Sequence, residues 1–150
     1  MDSFTFFNPG KLVDGDLELV LTEKYPGDPA INYVPAYRFK MVHPGQAEQL
    51  GLVELRIGST RNIFYGGHLG YRVEPAHRGH HYAARACRLL MPLARRHGFS
   101  ELWITCTLDN YASHRTCERM GARFVEIVDL PEDTNLYRDG ERQMVRYRLD

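Results

Sequence analysis

The segment Val73-Glu74-Pro75-Ala76-His77-Arg78-Gly79-His80-His81-Tyr82-Ala83 carries the clearest chemical signal in the chain. It reads as the end of a strand, a turn and the start of a helix. The first backbone N–H groups of a helix have no intrahelical acceptor. They also carry the positive end of the helix dipole, so they form a ready anion site. Gly79 lets backbone approach a bulky phosphate, and Arg78 adds charge. A pyrophosphate suits this arrangement. Neither GxxxxGK[ST] nor GxGxxG occurs, so the two common nucleotide loops are excluded.

The surrounding charge agrees. From Arg72 to Arg96 six arginines (72, 78, 85, 88, 95, 96) face one acid, Glu74. From Asp129 to Glu141 five acids (129, 132, 133, 139, 141) face one base, Arg138. A local basic segment suggests a local anionic ligand, although a solvated helix face would read the same way. His77, His80 and His81 could suggest a metal. No carboxylate or cysteine closes such a set in sequence, and the anion turn accounts for the position, so no metal is expected.

The elements that must hold this turn follow from periodicity. Leu17–Thr22, Tyr37–Val42 and Leu52–Ile57 alternate as strands, and Pro44-Gly45 makes a turn before the third. The prolines at 26, 29 and 35 make a long helix between the first two strands improbable. Gly67–Val73 reads as a fourth strand whose glycines mark a bulge or a close approach. A helix is expected from His81 to His97, stopped by Gly98 and kinked near Pro92. Leu102–Thr107 is an apolar strand with Trp103 assigned to the core. Asp109 or Asn110 caps a helix running to Met120, which Gly121 stops. Arg123–Asp129 and Arg142–Leu149 complete a ββββαβαββ order around a polar loop, Leu130–Gly140. The expected class is α/β (α+β), one mixed sheet with helices packed on it.

The 150 residues suit a single domain spanning 1–150. Nineteen cationic and nineteen anionic side chains give no net charge. That argues against a nucleic-acid partner. No apolar run approaches the roughly 18 residues of a membrane span. The first residues lack a basic, apolar leader pattern. Three cysteines (87, 106 and 117) are odd in number and form no CxxC. A reduced, cytoplasmic setting is the expectation.

The turn resembles the acetyl-CoA motif of the GNAT N-acetyltransferase superfamily, [RQ]-x-x-G-x-[GA] between a strand and a helix. Arg78 and Ala83 stand at its first and last positions. His81 replaces its central glycine. Val73, Pro75, Arg78, Gly79 and Tyr82 match its flanks. Asp109–Ala122 resembles the family's N-x-x-[SA]…[YC]-x-x-x-G-[FA] helix. The match spans roughly 52 to 149, and Gly70-Tyr71 is most similar to the branch containing ribosomal-protein N-terminal acetyltransferases.

The resemblance implies a mostly antiparallel sheet with helices on both faces and a splayed parallel pair at its centre. It implies acetyl transfer from acetyl-CoA to a primary amine by direct attack on the thioester. The alternative is a non-catalytic acyl-CoA-binding or regulatory domain. Backbone N–H groups at Tyr71, Arg72 and Val73 would hold the carbonyl and pantetheine. Arg78, Gly79, His80, His81, Tyr82 and Ala83 would hold the pyrophosphate. Asn110 and Ser113 would line the arm, and Arg85 and Arg88 could reach the 3′-phosphate. His68 or Glu54 would accept the amine proton. The family's tyrosine acid falls at Cys117, with Tyr111 and Ser113 as other donors. A small-molecule or peptide amine is the implied acceptor, and the acidic loop favours a cationic one. The family admits a monomer or a homodimer.

Overall fold

A computed structural model describes residues 4–150. Alternation at period two puts Leu17, Leu19, Tyr37, Phe39, Met41, Val53 and Leu55 on one buried face. Their strands form an antiparallel sheet in sequence order: β1 (Leu12–Asp14), β2 (Leu17–Tyr25), β3 (Ala36–Val42), β4 (Gly51–Arg56) and β5 (Leu69–Val73). Gly15 turns β1 into β2 at φ +57°. Between β2 and β3 the prolines leave only a 3-10 turn, Pro29–Ile31.

The expected single sheet is two. β6 (Leu102–Thr107), β7 (Arg123–Asp129) and β8 (Gln143–Leu149) form a second antiparallel sheet in the order β6-β8-β7. Helix α2 (Tyr82–Arg96) lays Tyr82, Ala83, Ala86, Leu90, Leu93 and Ala94 across β1, β2, β4 and β5. It continues through Pro92, which is exposed. Helix α3 (Tyr111–Met120) packs against α2 and β6 and buries Cys117 and Met120. Two short helices lie where strands or loops were expected. They are α1 (Arg61–Gly66), on the opposite face of β6, and α4 (Asn135–Arg138), inside the acidic loop. No helix of the described residues is long and apolar enough to cross a membrane.

β5 and β6 lie side by side without a ladder between them. Their joint is at one end. The His68 N–H donates to the Trp103 carbonyl (2.7 Å), and the Trp103 N–H donates to His68 Nδ1 (3.0 Å). His68 Nε2 then donates to the Gly58 carbonyl (2.9 Å). Gly67 precedes the joint at φ +79°, and a Cβ there would sit 2.9 Å from the Trp103 carbonyl oxygen. This glycine therefore marks a close approach of two backbones. Beyond the joint the strands part into a V.

Two outcomes follow for the joint. Gly67→Ala should lower stability by at least about 1–3 kcal/mol in urea denaturation, through backbone strain to which the clash with the Trp103 carbonyl adds. Gly66→Ala, which meets open space, should not. Burial also holds the His68 imidazole below its ordinary pKa, and His97 likewise. The unfolded chain takes up these protons near pH 6.5 and the folded chain only lower. Stability is then full above about pH 6.5 and is lost as pH falls. The melting temperature should drop as pH falls below that value, and His68→Gln should flatten the drop. An unchanged slope would place the effect elsewhere.

Candidate active site

The open edge of β5 faces the V. Arg56 donates its N–H to the His68 carbonyl, and Glu74 donates its N–H to the Leu50 carbonyl. In an antiparallel ladder the bonding residues alternate. Gly70 and Arg72 therefore turn their amides to β4, and Tyr71 and Val73 turn theirs to the V. Of the three expected backbone donors, the amide of Arg72 is committed to the sheet. Its side chain pairs with Glu74 (3.2 Å).

Beyond β5 the chain makes the expected turn. Pro75–His77 form a 3-10 turn, Arg78 is extended and Gly79 takes φ +96°. His81 then adopts the left-handed conformation at φ 63° and starts α2 without a side-chain cap. The family's glycine at this position has a physical reason, because only glycine takes that backbone without strain. The side chains of His80 and His81 are exposed, while Tyr82 and Ala83 are buried. The first-turn amides of α2 thus lack a side-chain acceptor. Arg78 Nε donates to the Val73 carbonyl (3.3 Å) and keeps the turn against the strand. His77 Nε2 meets Glu48 (3.2 Å).

The two arginines expected at a 3′-phosphate are engaged within the fold. Arg85 bridges Asp14 (2.8 Å) and Asp16 (2.7 Å), and its bond to Asp16 holds that carboxyl below the usual range. Arg88 donates to the Met120 carbonyl (2.5 Å) and ties α2 to α3.

Inside the V a polar pair crosses from β5 to α3. The Tyr71 hydroxyl lies 2.7 Å from Ser113 Oγ and 3.9 Å from Cys117 Sγ. Burial raises the Tyr71 hydroxyl far above its ordinary pKa, so it stays protonated. Asn110 Oδ1 accepts the Ser113 N–H (3.2 Å) and caps α3. Sequence reading did not join Tyr71 to Ser113, because the pair spans 42 residues. It also missed Cys106. That thiol is lowered to about 7, first by the Cys117 thiol and then by the His114 ring 3.7 Å away.

Two catalytic expectations change, those for His68 and Cys117. His68 has both ring nitrogens bonded to backbone and is 4% exposed, so it is a strut and not a free base. Cys117 is fully buried behind Tyr71, and its contact with Cys106 and its burial raise its thiol. Glu54 lies on the other face of the first sheet. It is held by Arg56 (3.3 Å) and Arg38 (3.5 Å). It lines an open groove of about 480 Å³ with Arg38, Leu52, Arg56, Gly70 and Arg72. Tyr111 is exposed at the start of α3. In the acidic loop, Asp133 forms a bidentate pair with Arg61 of α1 (2.8 and 3.0 Å). Trp103 is not core; its ring supports the Arg146 guanidinium (4.3 Å).

The family profile described as "Acetyltransferase (GNAT) domain" matches residues 18–123. The microcin C7 self-immunity acetyltransferase, solved with acetyl-CoA and AMP, is 18% identical with a TM-score of 0.59; the match covers 76% of this chain and 60% of that one. An acetyltransferase from Salmonella typhimurium that modifies the N-terminal serine of ribosomal protein L7/L12 is 21% identical with a TM-score of 0.58, covering 76% and 63%. A probable acetyltransferase (GNAT family) from Chromobacterium violaceum is 14% identical with a TM-score of 0.67, covering 99% and 90%. This chain thus spans about three-fifths of the length of the first two. No curated protein sequence matches it.

Because His81 holds a left-handed backbone, His81→Gly should relieve roughly 1–2 kcal/mol of strain. Glycine's extra chain entropy returns roughly 0.5–1 kcal/mol of that. A small rise in melting temperature, about 2 °C, is expected. A fall would mean that the His81 side chain contributes to folding.

Proposed function

This chain belongs to the GNAT acetyltransferase family, and from that premise we propose that it moves an acetyl group from acetyl-CoA to a primary amine. One observation carries the reading: the unpaired edge of β5 in the V leads directly to the uncapped start of α2. A long ligand with a thioester at one end and a pyrophosphate at the other fits that path. The solved relative with acetyl-CoA supports the choice of donor.

The pyrophosphate is held by the amides of Gly79–Ala83, with the charge of Arg78 beside them. The pantetheine arm follows β5, and the amides of Tyr71 and Val73 hold and polarise its carbonyls. The acceptor enters over the groove of Glu54 and Gly70. Its nitrogen attacks the thioester carbon, the C–N bond forms and the C–S bond breaks. Ser113 Oγ, oriented by the Tyr71 hydroxyl that burial keeps protonated, donates a hydrogen bond to the departing thiolate, which takes up its proton from solvent. Glu54, the sole carboxylate lining the groove among the described residues, receives the amine proton.

The acceptor's charge is a separate matter. Asp133 is already paired with Arg61, so a preference for a cationic amine rests on Glu132 and its unpaired neighbours. Glu132→Gln should raise KM for a cationic acceptor, and an unchanged KM would remove that preference.

The test is release of free CoA thiol from acetyl-CoA with a panel of amines. Ser113→Ala should lower kcat by about 100-fold or more, with little change in the KM for acetyl-CoA. Tight CoA binding without acceptor-dependent thiol release would instead support a non-catalytic acyl-CoA-binding domain.

A further inference from the structure

Arg146 lies on β8 with 5% exposure. Its guanidinium lies over two aromatic rings, 3.7 Å from the Phe64 centroid and 4.3 Å from that of Trp103. Its N–H donors lie in the plane of the guanidinium, at its edges. A guanidinium has five N–H donors. Among the described residues this one makes a single hydrogen bond, from Nη1 to the Phe64 carbonyl. Nε is buried without a partner. The carboxylate opposite it, Glu126 on β7, stands 4.0 Å away and is 44% exposed. That is too long for a hydrogen bond. Buried cations are normally paired and their donors satisfied.

A cavity of about 250 Å³ adjoins this side chain, with Ser59, Thr60, Phe64, Phe99 and Trp103 among its walls. It is smaller than the roughly 300–1,000 Å³ that holds drug-sized ligands. Its other charged groups are spoken for. Glu101 pairs with Arg148 (2.8 Å), and His68 bonds backbone through both nitrogens. What the cavity offers is a set of aromatic walls and one cation with unused in-plane donors.

We propose that this cavity is a binding site for a small carboxylate with a flat apolar body. The carboxylate takes the free donor edge of Arg146, a geometry that planar guanidinium and carboxylate groups share. The body lies against Phe64, Phe99 and Trp103. The site is separate from the groove of Glu54 and does not depend on acetyl transfer. It does include His68 and Trp103, the two residues of the joint, so its occupant touches both strands where the V closes.

The chain has one tryptophan, Trp103, and its fluorescence reads the site directly. Benzoate is the probe and benzamide its neutral counterpart, titrated into the full chain with calorimetry alongside. Benzoate should quench Trp103 saturably and bind about 10- to 100-fold more tightly than benzamide. Arg146→Gln should abolish the difference between the two probes. Glu126→Gln is an exposed change that removes the competing carboxylate, so it keeps the test open if Arg146→Gln does not fold. It should tighten benzoate binding several-fold and leave benzamide unchanged. No saturable benzoate signal, equal binding of the two probes, or weaker benzoate binding in Glu126→Gln would each overturn the proposal.

Discussion

The joint between His68 and Trp103 is the constraint on which the rest depends. Two backbones approach there closely enough to require Gly67, and a buried imidazole spans the gap with both nitrogens. β5 and β6 are fixed together at that end and stay unpaired beyond it. Without the joint the two sheets would be free to close or to separate. With it, one edge of β5 keeps its amides open while α2 begins just past its end. A buried polar group with both nitrogens satisfied can rigidify a core at little net cost. Here it keeps an open wedge inside a packed protein.

The same geometry explains how roles divide among the residues near the V. Alternation along β5 sends the amides of Tyr71 and Val73 to the open side and that of Arg72 to the sheet. Side-chain alternation sends Tyr71 toward Ser113 and α3, while Gly70 and Arg72 face the groove of Glu54. Donor and acceptor substrates would therefore meet β5 from opposite faces. Charge follows space in the same way. The basic segment and the acidic residues looked like two separate sites along the chain. In the fold, Arg85 is satisfied by Asp14 and Asp16, and Asp133 by Arg61. Part of the apparent imbalance, one arginine of the six and one acid of the five, is closed by pairs more than 60 residues apart.

Local features were legible in the sequence. The turn at Gly79, the helix that follows, the Asn110 cap and the Gly121 stop rest on short-range backbone chemistry, and each lies where expected. So does the absence of a long helix between β2 and β3, set by three prolines. Long-range features were not. Whether β5 and β6 pair or part is decided by Gly67 against a strand 36 residues on. His68 has the chemistry of a base, and only burial shows it to be a strut. Helix α1 is six residues with no side-chain cap bond, too short for a periodic signal. Arg146 alternates as an ordinary strand residue, and its contact with Phe64 and Trp103 requires the second sheet and α1 to be in place.

The central claim is that the open edge of β5 and the start of α2 form one binding track. Backbone amide NMR during a CoA titration tests it most directly. The amides of Tyr71 and Val73 should shift together with those of Gly79 to Ala83, while the amide of Arg72, held in the ladder, should shift far less. Shifts confined to the groove around Glu54 or to β7, with the Tyr71 and Val73 amides unmoved, would contradict the account.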